Sequence, residues 1–165
     1  MKTTLLVLFL ALTFEAAHAH EPAPATNVAA PVKTDDADAE LVAVANAYRG
    51  ALERLDLKAL HALHTEDVVI FEQGYRNDGW KDYEKNHIGP ELKEMKAFKF
   101  TKYEARAQRI GDAGLVYVDM SYTIDGTDGT KHEADGLMTL VLRRTAGTLQ
   151  IAHAHSSTHK RPAAK

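Results

Sequence analysis

The feature that most constrains this chain is a change of hydrophobic period near residue 96. Before it, apolar residues recur at helical spacing. After it they alternate, which places successive side chains on opposite faces of a strand. Ala97 to Arg109 alternates in part, through Phe98, Phe100 and Tyr103, and Leu115 to Ile124 reads as a clear strand. Lys131 to Arg144 and Leu149 to His159 follow, divided by the turn-forming runs Asp125-Gly126-Thr127-Asp128-Gly129 and Ala146-Gly147. Short turns between strands predict an antiparallel meander. Helices grouped early and strands grouped late point to an α+β fold rather than a parallel α/β sheet.

In the first half, Leu41, Val44, Ala45, Tyr48, Leu52 and Leu55 predict an amphipathic helix over residues 36–54, capped from Thr34-Asp35-Asp36. Asp56 can cap a short second helix that carries Leu57, Leu60 and Leu63. Val68-Val69-Ile70-Phe71 is a β-branched run and reads as a strand. Residues 74–79 read as a turn region. Trp80 to Met95 reads as helix, interrupted or ended at Gly89-Pro90.

The N-terminus has the pattern of an export leader. Lys2 precedes an apolar run from Leu5 to Phe14, and Ala17-His18-Ala19 fits a small-x-small cleavage site. The run is shorter than the roughly 20 residues of a membrane span. The expected organisation is a signal peptide over 1–19, a Pro/Ala-rich tether over 20–33 and one domain over 34–160. The expected location is the periplasm or the outside of the cell. Cleavage after Ala19 would expose His20, whose amine and imidazole could chelate copper. The chain has no cysteine, so disulfides and thiolate metal sites are excluded. A net charge of −3, with no basic block, makes nucleic acid a poor partner.

The element order and four local stretches resemble the SnoaL-like branch of the nuclear transport factor 2-like superfamily. The stretches are Asp56-Leu57-Lys58-Ala59-Leu60 through His64-Thr65-Glu66-Asp67-Val68, then Val69-Ile70-Phe71-Glu72-Gln73-Gly74, then Trp80 through Pro90, and the closing pair Met138 to Arg144 with Leu149 to Ser157. The resemblance covers about residues 36–159. It implies helices packed on a strongly curved, mostly antiparallel sheet, forming a cone with an internal pocket, and a homodimer through the sheet's outer face. It implies fold more than chemistry, because members include isomerases, dehydratases, cyclases, hydrolases and binding modules. The chain departs from the branch at Leu149, often tryptophan there, and at His64, usually a large apolar residue.

Candidate site residues follow from residue type. Unbroken alternation along the last strand would put Leu149, Ile151, His153, His155, Ser157 and His159 on one face. With Glu72 at a strand end and His87 on the following helix, His153 and His155 make a plausible Cu or Zn set. The competing reading is acid–base catalysis in an apolar pocket, with Glu72 or Asp119 as base and His87 or His153 as acid. Tyr48, Trp80, Tyr83 and Tyr117 would line that pocket. A third reading is a dimerising module, in which His155 and its neighbours serve the sheet or an interface. His61 and His64 fall on one face of a short helix. Tyr48, Phe71, Phe98 and Phe100 also fit core positions. The leading expectation is an exported protein that binds a small molecule or metal ion through Tyr48, Glu72, Trp80, Tyr83, His87 and His153.

Overall fold

A computed structural model describes residues 36–161, so the leader, the tether, the Thr34 cap and His20 lie outside the described residues. Helix α1 spans Asp36–Glu53 and α2 spans Leu57–Leu63. Asp56 caps α2 as expected, its Oδ1 accepting from the Ala59 N–H at 2.9 Å. Strand β1 spans His64–Glu72, and a short β2, Tyr75–Asp78, turns back on it where the sequence reads only as a turn. Helical residues then run from Trp80 to Glu94 as α3 (Trp80–Tyr83), a π-helical turn (Glu84–Ile88) and α4 (Gly89–Glu94). Gly89-Pro90 therefore neither ends the helix nor leaves it regular. Strands β3 (Met95–Ile110), β4 (Ala113–Gly126), β5 (Lys131–Thr145) and β6 (Thr148–Lys160) complete the chain.

The last four strands pair in sequence as the antiparallel meander that the turns imply. Strand β1 then joins β6 in parallel, giving one six-stranded mixed sheet in the order β2-β1-β6-β5-β4-β3. The partial alternation of β3 has a structural cause. Its register shifts between Phe100 and Lys102. The extra residue lets Phe100 and Tyr103, at odd separation, both pack against the core. No helix among the described residues is long and apolar enough to cross a membrane.

One sheet face carries the core. Val116 and Val118 of β4, Leu140 and Leu142 of β5, and Ile151 of β6 are buried against Leu41 and Ala45 of α1. Fully removing a Leu, Ile or Val side chain from water contributes about 1.5–3 kcal/mol. These positions therefore hold α1 to the sheet.

His64 stands at the junction of α2 and β1. It is the first residue of β1 rather than a helix-surface position, and it is 2% exposed. Its Nδ1–H donates to the Leu60 carbonyl at 2.7 Å, and its ring lies 5.1 Å from Trp80 and 5.8 Å from Tyr48. Burial drives its pKa from 6.5 down to about 4, against a smaller opposing effect of the Leu60 bond. The native state thus refuses a proton that the unfolded chain accepts below pH 6.5. Stability is complete above that pH and is lost as pH falls towards 4, by on the order of 3 kcal/mol in total. Urea unfolding at pH 7 and pH 4.5 should show this loss, and His64→Phe should reduce it. An equal pH dependence in both proteins would contradict the assignment.

Candidate functional site

The inner face of the sheet and the helical segment 80–94 enclose a cavity of about 810 Å³, within the usual range for small-molecule sites. Which residues reach it depends on one irregularity in β6. Val141 pairs with His153, but Leu142 pairs with Ile151, so Ala152 is an extra residue. A bulge of this kind reverses the side-chain alternation beyond it. Leu149 and Ile151 face the core, and after the bulge so do Ala154, Ser156 and Thr158.

The reversal corrects the grouping expected from the sequence. His153 and His155 lie on the outer face, where Phe71 stands against their rings at 5.0 and 5.9 Å. The His153 Nδ1–H donates to the Val69 carbonyl at 2.7 Å. Glu72 and His87 line the cavity on the inner face. The set Glu72, His87, His153 and His155 therefore does not converge. Among the described residues, no group of three or more His, Cys, Asp or Glu side chains could hold a metal ion.

Other expected residues divide in the same way. Tyr48 and Tyr83 line the cavity. Trp80 does not: it is 1% exposed, stacked on His61 at 4.9 Å, and its Nε1–H donates to Glu84 at 2.9 Å. In β4 the even positions Val116, Val118 and Met120 are buried, which turns Tyr117 and Asp119 outward. Tyr117 is exposed, and Asp119 pairs with Lys102 at 2.8 Å outside the cavity. Phe71 is also exposed, whereas Phe100 is core and Phe98 packs against it. His132 sits at the cavity rim.

What the fold does bring together is Glu72, His87 and Glu91. The His87 Nε2 lies 3.6 Å from Glu72 Oε2 and 3.3 Å from Glu91 Oε1. The Tyr83 hydroxyl donates to the same Glu72 oxygen at 3.3 Å. Burial raises the Glu91 pKa, and the Glu72 and Glu94 charges add to this while His87 opposes it. Burial, reinforced by Glu72, also holds the Tyr48 and Tyr83 phenols well above their ordinary range. Both therefore remain hydrogen-bond donors at neutral pH.

A chain of polar contacts behind His87 sets its orientation. The Asp82 carboxylate accepts from Asn86 Nδ2 at 2.6 Å, Asn77 Nδ2 at 3.1 Å and the Asp78 N–H at 3.1 Å. These bonds hold Asp82 below the usual carboxylate range and therefore charged. Because a carboxylate only accepts, the Asn77 amide must turn its NH2 to Asp82 and its Oδ1 to His87. The His87 Nδ1 is 2.9 Å from that oxygen, so Nδ1 carries a hydrogen. Nε2 is thereby left facing two carboxylates. That contact is favourable only when a further proton is present, on the imidazole or on a carboxylate. The cluster stands at the cavity wall.

Local backbone brings His87 there. Pro90 cannot donate to the carbonyl of residue 86, and the helix widens into a π turn in which the Gly89 N–H reaches the Glu84 carbonyl. A Cβ on residue 89 would overlap that carbonyl oxygen, so only glycine fits. Such π turns often coincide with functional positions. Asn77, Asp82 and Glu91 escape a sequence reading, because Asn77 and its neighbours look like turn residues and Glu91 like a solvated helix face.

Residues 41–160 match the model of the SnoaL-like domain. The chain belongs to the SnoaL-like family. Solved structures agree on the fold. A dehydratase candidate of the NTF2-like family from Streptomyces avermitilis is 18% identical, with a TM-score of 0.67, covering 74% of this chain and 97% of its own. A ketosteroid isomerase candidate from Shewanella frigidimarina is 21% identical, with a TM-score of 0.63 and coverages of 72% and 94%. An NTF2-like superfamily protein from Salmonella enterica is 17% identical, with a TM-score of 0.64 and coverages of 72% and 88%. No curated protein matches the sequence.

Proposed function

We propose that this SnoaL-like domain binds a small organic molecule in its cavity and moves a proton on it. The observation that carries this reading is the placement of Nε2 of His87 within 3.6 Å of two carboxylates, on the wall of a cavity that is otherwise largely aromatic and aliphatic. Glu72 is the base, and His87 with Glu91 receives or returns the proton. The Tyr48 hydroxyl makes no hydrogen bond among the described residues and lines the same cavity. It is free to donate to an oxygen that gains charge as the proton leaves carbon. The reaction class is proton transfer at a carbon beside a carbonyl, of isomerase or lyase type. Two of the similar folds, the isomerase candidate and the dehydratase candidate, bear names of the same general chemistry.

Export is part of the proposal and rests on the Met1–Ala19 pattern. N-terminal sequencing of the protein from its native cell should begin at His20, and a chain that retains Met1 would contradict export.

The chemistry is testable by solvent-deuterium exchange at C2 of 1-indanone, followed by NMR. The wild type should accelerate exchange over buffer. Glu72→Gln and His87→Gln should each lower the protein-dependent rate by about 100-fold. Variants as fast as the wild type, or a wild type no faster than buffer, would overturn the reading.

A further inference from the structure

The charge and surface of the cavity narrow what can occupy it. Four carboxylates line it: Glu72 and Glu91 within, Glu94 and Asp128 on more exposed positions. None of the lining residues is lysine or arginine. Even if both lining histidines, His87 and His132, were protonated, the carboxylates would outnumber them. The Glu72 and Glu91 charges reach across the space, since both act on Tyr48, Tyr83 and Tyr122 from different walls. An anionic occupant would meet this field with no fixed cation to offset it.

The rings supply the second half of the argument. Phe98 stacks on Tyr122 at 5.0 Å and stands 4.9 Å from Phe100, forming one aromatic wall from β3 and β4. Tyr83 lies 5.2 Å from His87 and Tyr75 6.1 Å from it, forming a second wall from the helical segment and β2. Aromatic faces are negative and attract cations, most strongly alkylammonium groups freed from water. Rings plus carboxylates, without lysine or arginine, make a receptor for positive charge attached to apolar surface.

We propose that the cavity takes an organic cation, an alkyl- or arylammonium, with its charged nitrogen beside Glu72 and Glu91 and its apolar part against Phe98 and Tyr122. This rests on the cavity being the ligand site proposed above and names the class of ligand. A carbon next to a cationic nitrogen also loses a proton more readily, which suits a Glu72 base.

Calorimetry on the whole protein tests the charge preference with three probes of one shape. They are choline, its uncharged carbon isostere 3,3-dimethylbutan-1-ol, and the anion 3,3-dimethylbutanoate. Choline should bind about tenfold tighter than the alcohol, the increment expected of a desolvated cation–π contact, and the anion should not bind measurably. Choline binding should weaken with added salt. Glu91→Gln should reduce choline affinity towards that of the alcohol. Glu72→Gln should do the same. Alcohol bound as tightly as choline, or the anion bound tighter, overturns the cation assignment while the cavity stands as the ligand site. If none of the three binds, both readings fall.

Discussion

The extra residue Ala152 decides which side chains of β6 face the cavity of this domain. Strand β6 lies in the middle of the sheet, paired with β5 on one side and β1 on the other. A central strand cannot slip without moving both neighbours. One inserted residue is therefore enough to assign every later side chain to a face. It puts Ala154, Ser156 and Thr158 inside and His153 and His155 outside. The imidazoles that look most conspicuous along the chain become outer-face side chains packed around Phe71. The cavity is left with one deeply placed imidazole, His87.

That imidazole is positioned by contacts that each exclude an alternative. Asp82 is charged and only accepts, so it turns the Asn77 amide. Asn77 then fixes the hydrogen on Nδ1 of His87, and Nε2 faces Glu72 and Glu91. The π turn before Pro90 sets the height of His87 on the cavity wall, and Gly89 is the residue that permits the turn. Burial raises the pKa values of Glu91, Tyr48 and Tyr83 on the walls of that cavity.

Much of the fold was legible from periodicity. The helix near residues 36–54, the Asp56 cap, the β-branched strand and the four-strand meander all stand where spacing and turn residues put them. The departures are places where two local rules conflict. Asn77-Asp78-Gly79 carries turn residues, yet Tyr75–Asp78 pairs with β1 because the inner partner strand extends that far. Gly89-Pro90 carries helix-ending residues, yet the helix continues by widening. Glu72, His87, Tyr48 and Tyr83 were legible as cavity residues because strand end and helix face are local properties. The pairing of His87 with Glu91 and the outward turn of His153 and His155 were not. Both depend on irregularities, a π turn and a bulge, that leave little trace in the pattern of apolar residues.

The chain has no cysteine, so a single introduced thiol reports on one position alone. The most direct measurement is labelling of single-cysteine variants at residues 153 to 158 with a bulky maleimide, at dilute protein concentration. The bulge at Ala152 requires fast labelling at positions 153, 155 and 157 and slow labelling at 154, 156 and 158. The opposite alternation would place His153 and His155 inside the cavity and contradict the site described.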